Sequence, residues 1–152
     1  MEIERKFIPK YIPENIETFE YHHIEQGYLS TNPVVRVRKS DNEYYLTYKG
    51  TGMMAREEYN LPLNESSYQH LLEKADGNII SKTRYLIPLE NGLVAELDIF
   101  EGAFLGMLLV EVEFPSVETA ENFTPPKWFG KDVTYDKKYH NSYLSKLIIA
   151  DK

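Results

Sequence analysis

MEIERKF, at residues 1–7, opens the chain with charged side chains at alternate positions. The stretch is too short for a helix. On a β-strand the side chains of Glu2, Glu4 and Lys6 point to one face, about 7 Å apart at each step. Carboxylates held this close repel each other unless another group compensates their charge. The stretch therefore predicts a β-strand whose charged face needs a partner.

Charged pairs two residues apart recur along most of the other candidate strands. The pairs of like sign are Arg36 with Arg38, Lys82 with Arg84, Glu96 with Asp98, and Glu111 with Glu113. Lys49 shares a strand face with Thr47 and Tyr45, and Arg56 shares one with Glu58. The opposite faces of two strands are apolar, at residues 93, 95, 97 and 99 and at residues 108, 110, 112 and 114. For a single strand, the usual explanation is a half-solvated antiparallel sheet. Neighbouring like charges destabilise such a surface, so their repetition favours binding surfaces.

The two kinds of pair suit two kinds of ligand. Paired carboxylates offer the oxygen ligands that Mg²⁺ and Mn²⁺ prefer. Paired Arg and Lys side chains suit phosphate oxygens, which the Arg fork binds in a bidentate manner. If both kinds of pair point into one closed sheet, the interior binds a metal-chelated polyphosphate. The apolar face then lies outside, under helices or against a partner subunit, which leaves a homodimer open.

Strand-like alternation dominates the chain, which we read as a single domain over residues 1–152. The predicted strands are residues 2–8, 20–29, 34–39, 43–50, 54–61, 79–87, 93–100 and 107–114. Asn91-Gly92 between two alternating runs predicts a tight hairpin. Helices are predicted at residues 64–75 after an Asn64 N-cap, after Ser116, and from Asn141 along a stripe that includes Leu147 and Ile148.

Composition limits the classes of protein that fit. The 152 residues include no cysteine, which excludes disulfides and thiolate metal sites, and the net charge is −7. An acidic chain disfavours long nucleic acid as a ligand. A small polyanion in a local basic pocket remains compatible. No apolar run has the length of a membrane span, and no secretory leader is recognisable at the N-terminus, so we expect a cytoplasmic protein.

The ordered set of motifs resembles the CYTH-domain proteins, also called triphosphate tunnel metalloenzymes. Glu2-x-Glu4-x-Lys6 is similar to their ExExK signature. The other matching stretches are IEQGYL (24–29), VRVRK (35–39), YLTYKG (45–50), SKTRY (81–85), AELDIFEG (95–102), LVEVEF (109–114) and DVTYDKKYHNSYL (132–144). The tail departs from the family pattern at Asp132, where Glu is expected, and at Tyr135, where Gly is expected.

The resemblance implies a mainly β (α+β) fold, with an eight-stranded antiparallel β-barrel that forms a tunnel with a charged interior, flanked by a few helices. It also implies a divalent cation, Mg²⁺ or Mn²⁺, and a small polyphosphate substrate. The spelling EIERKF followed by IEQGYL is most similar to small bacterial members that hydrolyse inorganic triphosphate. Adenylate cyclase, nucleoside or thiamine triphosphatase, and a non-catalytic polyphosphate-binding module are the alternatives.

Residue roles follow from the charges and the resemblance together. The candidate metal ligands are Glu2, Glu4, Glu58, Glu96, Asp98, Glu111 and Glu113. The candidate phosphate-binding residues are Lys6, Arg36, Arg38, Lys49, Arg56, Lys82 and Arg84. Glu4, Glu111 and Lys82 are the candidate catalytic residues, and Gln26, Tyr28 and Lys137 are further tunnel candidates. The alternative for each charged residue is an internal salt bridge, because buried charges are normally paired. We expect His22 and His23 at the surface and Trp128-Phe129 in the core.

Overall fold

A computed structural model describes residues 1–147, which fold into one curled antiparallel sheet with three short helices. The strands are Glu2–Pro9 (β1), Glu20–Thr31 (β2), Val34–Ser40 (β3), Glu43–Lys49 (β4), Ala55–Arg56 (β5), Glu58–Leu63 (β6), Asp76–Pro88 (β7), Val94–Glu101 (β8), Leu108–Glu113 (β9) and Phe129–Asp132 (β10). Their order in the sheet is β10-β1-β9-β8-β7-β2-β3-β4-β6, and β5 pairs with β1. The predicted antiparallel barrel is confirmed, although ten strands build it rather than eight.

The barrel closes where the predicted strand 54–61 divides in two. Arg56 on β5 pairs with Glu2 on β1, whereas Glu58 on β6 pairs with Lys49 on β4. One chain segment thus contacts both margins of the curled sheet, and the change of partner at Glu57 interrupts the strand. The second strand beyond the eight that were predicted is β10, which pairs with the C-terminal half of β1. The sequence analysis missed it because four residues are too few to show an alternating pattern.

Local signals in the sequence account for the turns and the first two helices. Asn91 and Gly92 have φ values of 61° and 74°, and they join β7 to β8 as predicted. Asn64 caps helix α1 (Glu65–Leu72) by accepting a hydrogen bond from the Ser67 N–H at 2.7 Å. Ser116 caps α2 (Val117–Glu121) in the same way.

Helix α3 (Asn141–Leu144) is a single turn, shorter than the predicted stripe, and the stripe's Ile148 lies outside the described residues. Among residues 1–147 no helix combines the length and apolarity that a membrane crossing requires.

Glycine 27 allows the segment after α1 to approach the barrel. A Cβ atom at Gly27 would lie 2.8 Å from the Ala75 Cβ and 3.0 Å from the Leu72 Cδ1. These distances are too short for carbon atoms, so a side chain here would push the segment away from β2. The glycine of IEQGYL is therefore explained by packing.

Two apolar clusters lie on opposite sides of the barrel wall. The outer cluster consists of Phe7, Ile87, Ala95, Leu97, Val110, Val112, Phe114, Ala120 and Phe129, with Trp128 packed against it. This is the apolar strand face predicted to lie under helices, and it includes the predicted Trp128-Phe129 pair. The inner cluster consists of Tyr28, Val34, Ile80, Phe100, Leu109, Val133 and Leu144. It fills one end of the interior, so only part of the interior is charged.

Candidate active site

The charged strand faces converge inside the barrel on one polar cavity, here called the tunnel. Its lining residues are Glu2, Glu4, Lys6, Tyr28, Val34, Arg36, Arg38, Lys49, Arg56, Glu58, Lys82, Arg84, Glu96, Glu111, His140, Asn141 and Ser142. Strand register brings distant charges together: Lys6 lies opposite Glu111, and Glu111 lies opposite Glu96. The side chains leave only about 60 Å³ of free space. A bound polyphosphate would therefore have to displace contacts between the charged side chains.

Ion pairs occupy the β1 side of the tunnel. The Lys6 Nζ lies 2.8 Å from a Glu111 carboxylate oxygen and 3.1 Å from Glu4. The Lys49 Nζ lies 2.9 Å from Glu2. Burial alone would lower the pKa of Lys6, but Glu111 and Glu4 outweigh burial and raise it. Lys6 is therefore a firmly charged ammonium held between two carboxylates.

A second group of ion pairs is centred on Asp98, which lies behind the tunnel lining. Arg84 donates two hydrogen bonds to the Asp98 carboxylate, at 2.8 and 2.9 Å, and the Lys82 Nζ lies 2.7 Å from it. Although burial opposes the charged form, these two cations lower the pKa of Asp98 below its ordinary value. Burial, assisted by Arg84 and Arg38, lowers the pKa of Lys82 to about 7. Asp98 is fully buried and both of its carboxylate oxygens contact cations, so it orients the two basic side chains.

Two arginines on β3 differ from the other cations in the tunnel. Among the described residues, neither Arg36 nor Arg38 has a carboxylate oxygen within 4.0 Å. Arg36 is 7% exposed, donates one hydrogen bond of 3.3 Å to the Thr47 hydroxyl, and leaves its Nε–H without an acceptor. Arg38 donates to the Gln26 side-chain oxygen at 2.8 Å. Arg36 is buried and Arg38 is partly buried, and a charge that loses water without gaining a charged partner is costly, so an anionic ligand best explains this pair.

Negative charge accumulates on the wall that β1, β8 and β9 form, here called the acidic wall. Burial raises the pKa of the Glu4 and Glu96 carboxyls, and the neighbouring Glu111 carboxylate raises it further. The opposite holds for Glu111, since Lys6 and Arg84 overcome its burial and keep its pKa well below the ordinary value. A cation placed among these groups would relieve the repulsion.

The donors therefore fit a hard divalent cation, because all of them are carboxylate oxygens. Within residues 1–147 no three of them stand together as a ready-made cation site. The carboxylates thus fit such a cation by the chemistry of their oxygens.

Four of the sequence-predicted residues lie away from the tunnel lining. Asp98 and Gln26 are buried directly behind it. Glu113 is exposed at the end of β9, and Lys137 lies outside, on a groove that opens onto the tunnel. The remaining candidates all line the tunnel. His22 is about one-third exposed and bonds to Asp41 and Glu20, so it belongs to the rim as a surface histidine.

The sequence analysis missed three lining residues in the tail, His140, Asn141 and Ser142. The Asn141 side-chain oxygen accepts hydrogen bonds from the Lys82 Nζ at 2.9 Å and from the Gln26 amide at 3.3 Å. Gln26 in turn accepts from Arg38. A neutral acceptor thus orients Lys82 without adding another negative charge. The only available signal was the tail motif, whose helical stripe drew attention to its apolar residues.

Asn141→Asp is expected to raise the melting temperature while weakening triphosphate binding by about tenfold or more. The new carboxylate would pair with Lys82, which stabilises the empty protein, and would repel phosphate oxygens. Thermal unfolding and calorimetric titration measure the two effects, with the exposed Asn122→Asp as the matched control. If both quantities fall together, Asn141 has only a structural role.

His140 predicts a pH dependence of stability. Its side chain is 7% exposed, and burial, followed by the charge of Lys6, lowers its pKa from 6.5 to about 4. Below pH 6.5 the unfolded chain binds a proton that the folded protein does not, so stability falls as the pH drops toward 4. His140→Gln should remove about 1–2 kcal/mol of the stability lost between pH 7 and 5. Urea unfolding at both pH values checks this, and an equal pH dependence in wild type and variant would contradict it. His70→Gln, on the surface of α1, is the control.

The fold and the site together define a β-tunnel protein in which a cationic wall faces an acidic wall. The chain belongs to the CYTH domain family, whose model matches residues 1–146. It is 39% identical over 149 residues to an inorganic triphosphatase of Nitrosomonas europaea, with 95% of this chain and 96% of the relative covered. An inorganic triphosphatase of Acetivibrio thermocellus is 38% identical over 128 residues, with 80% of this chain and 78% of the relative covered.

Solved structures agree with this assignment. The crystal structure of the inorganic triphosphatase NE1496 superposes with a TM-score of 0.73 at 36% identity, covering 99% of this chain and 97% of the other. A plant protein from Hippeastrum, described as a putative adenylyl cyclase with a dominant triphosphatase activity, has a TM-score of 0.62 at 18% identity over 80% of this chain and 83% of its own. The latter similarity supports the fold alone.

Proposed function

We propose that this protein hydrolyses inorganic triphosphate to pyrophosphate and phosphate inside the tunnel, in a reaction that depends on Mg²⁺ or Mn²⁺. The observation that carries the proposal is the pair of buried Arg36 and partly buried Arg38, which has no carboxylate oxygen within 4.0 Å among residues 1–147 and faces an acidic wall. The names of the two relatives support the same activity. The absence of cysteine and the small anionic substrate are compatible with a cytoplasmic location.

The cationic residues bind and orient the phosphates. Arg36 and Arg38 contact phosphate oxygens directly, because no carboxylate of residues 1–147 lies within 4.0 Å to compete for them. Lys6, Lys49, Arg56, Lys82 and Arg84 exchange part of their contacts with protein carboxylates for contacts with the substrate. Positioning and charge neutralisation are what phosphoryl transfer demands of a protein, since little covalent chemistry is involved. Lys82 and Arg84, oriented by Asp98, neutralise the charge that develops on the leaving group.

The acidic wall serves the attacking water and the metal. Glu2 and Glu111 in the tunnel lining, together with Glu113 at its edge opposite Glu4, would hold the divalent cation, which when bound polarises phosphate oxygens and lowers the pKa of water. Glu4 or Glu111 accepts the proton of the attacking water, and Glu58 and Glu96 complete the acidic surroundings. The raised pKa of Glu4 favours it as the base, because a base is most effective when its pKa approaches the working pH.

Inorganic triphosphate fits the lining better than a nucleotide. In the tunnel formed by the described residues, Tyr28 supplies the single tyrosine, tryptophan or phenylalanine ring. Tyr28 is 3% exposed and accepts a hydrogen bond from Gln26, so it does not offer a free face for a purine. Adenylate cyclase and nucleoside or thiamine triphosphatase remain the second choice.

The test is a panel of triphosphate substrates assayed with Mg²⁺ or Mn²⁺ for phosphate release and cyclic AMP. We expect kcat/KM for inorganic triphosphate to exceed that for ATP by at least about a hundredfold, and chelation to abolish turnover. Equal constants for ATP, or formation of cyclic AMP, would favour the second choice. Tight triphosphate binding without turnover of any substrate would indicate the non-catalytic module.

A further inference from the structure

A groove opens directly onto one end of the tunnel. It is formed by the loop Gly50–Met53, the segment Thr31–Val34, and side chains from the tail, and its volume is about 540 Å³. Val34, Arg56, His140 and Ser142 line both the groove and the tunnel. A ligand bound in the tunnel can therefore extend into the groove without crossing the barrel wall.

The charge of this groove is one-sided. Arg56, Lys137 and Lys146 line it, and within residues 1–147 no Asp or Glu does. The chain as a whole has the opposite balance, with 24 acidic and 17 basic residues. The groove at β2, β3 and β4 on the barrel's other side differs, because Asp41, Glu43 and Glu96 contribute to its lining. A lining with basic residues and no carboxylate among the described residues is thus a property of one tunnel end.

Arg56 links the groove to the tunnel. Its side chain is 12% exposed, its Nε lies 3.7 Å from a Glu2 oxygen, and this Nε–H has no hydrogen-bond acceptor among the described residues. The adjacent His140 supports a positive potential here, since burial and then the charges of Lys6 and Arg56 lower its pKa. A buried donor without an acceptor indicates space for an anion.

We propose that this groove is a second anion site, which binds one phosphate group outside the tunnel through Arg56, Lys137 and Lys146. The phosphate is either the fourth unit of a linear condensed phosphate whose first three units occupy the tunnel, or free orthophosphate. The first source rests on the proposed function, whereas binding of orthophosphate does not. The Lys side chains act as point charges, and the Arg fork can share its donors between adjacent phosphates.

The experiment measures binding by calorimetry at about 0.15 M ionic strength, where the Debye length is about 8 Å, with the full chain and a chelator so that no turnover occurs. The ligands are orthophosphate, linear triphosphate and linear tetraphosphate. The test variant combines Lys137→Glu with Lys146→Glu. The matched control combines Lys131→Glu with Lys138→Glu, which makes the same charge change at two exposed residues that do not line the groove.

Wild type and the control should bind tetraphosphate about tenfold more tightly than triphosphate, the effect of one added charge-assisted contact. The double variant should lose this preference while keeping its triphosphate affinity within about threefold, since the lysines lie outside the tunnel. If orthophosphate binding is lost as well, the groove takes both sources; if only the tetraphosphate preference is lost, it takes the chain end.

Equal behaviour of the double variant and the control would overturn the proposal. So would a wild-type protein that shows neither a tetraphosphate preference nor orthophosphate binding. Because the readout is binding, a failure of triphosphate hydrolysis in the substrate panel would leave this result interpretable on its own.

Discussion

Glu111→Gln is expected to reduce kcat for inorganic triphosphate by about a hundredfold to a thousandfold, the range found when a preorganised electrostatic group is removed from an active site. Glu111 contacts Lys6 at 2.8 Å and Arg84 at 3.5 Å, and it belongs to the proposed metal-holding set. Glutamine preserves the shape but removes the charge that holds both cations and attracts the metal. Part of the loss should be recovered at higher Mg²⁺ concentration. Steady-state phosphate release measures both effects.

The same substitution should lower the melting temperature. The sequence alone predicts that the like charges of Glu111 and Glu113 repel each other, so that removing one leaves the melting temperature unchanged or raises it. The structure separates them, with Glu113 exposed and Glu111 buried between cations, so the variant leaves Lys6 with one carboxylate fewer. Breaking a buried pair costs about 3–5 kcal/mol, and glutamine retains some of this as a hydrogen bond. Glu101→Gln, on the exposed end of β8, is the control. Normal turnover together with an early melting transition would make Glu111 a purely structural ion-pair partner.

Arg36→Met should have the opposite effect on stability and a large effect on substrate use. Losing charge-assisted contacts worth about 1.5–3 kcal/mol lowers kcat/KM roughly tenfold to a hundredfold. The empty protein should become more stable, because an uncompensated buried charge is replaced by an apolar side chain of similar length. Each kcal/mol gained should raise the melting temperature by about 2–4 °C.

Lys39→Met is the matched control for Arg36→Met, since Lys39 lies on the outer phase of the same strand. Triphosphate kinetics and thermal unfolding of both variants check the prediction. An Arg36→Met protein that melts earlier and retains its kcat/KM would show that Arg36 stabilises the fold and does not bind substrate.

The faces of the strands were predictable because side chains alternate strictly along a strand. The period of two puts Glu2, Glu4 and Lys6 on one face of their strand. On three other strands it pairs Arg36 with Arg38, Lys82 with Arg84, and Glu111 with Glu113, and the repetition of these charged faces predicts that they share one interior. The sequence also carried the local signals for the Asn91-Gly92 turn and the Asn64 cap. These features depend only on neighbouring residues.

The pairing of the charges was not predictable, because it depends on register between strands far apart in the chain. Lys6 contacts Glu111 at a sequence separation of 105 residues, and a one-residue slip in register would separate them. For the same reason, the sequence did not show that Lys82 and Arg84, two like charges on one strand, both contact Asp98 on the next strand. Asn141 was missed because a neutral amide gains its role only when the tail folds against Lys82.

The most direct test of the central claim is a crystal structure of the wild-type protein with Mg²⁺ and a non-hydrolysable imido analogue of triphosphate. We expect the analogue inside the barrel, with phosphate oxygens about 2.7–3.2 Å from guanidinium nitrogens of both Arg36 and Arg38, and with Mg²⁺ between the phosphates and carboxylates of the acidic wall. An analogue bound outside the barrel, or an Arg36–Arg38 pair that contacts only protein atoms in the complex, would contradict the account.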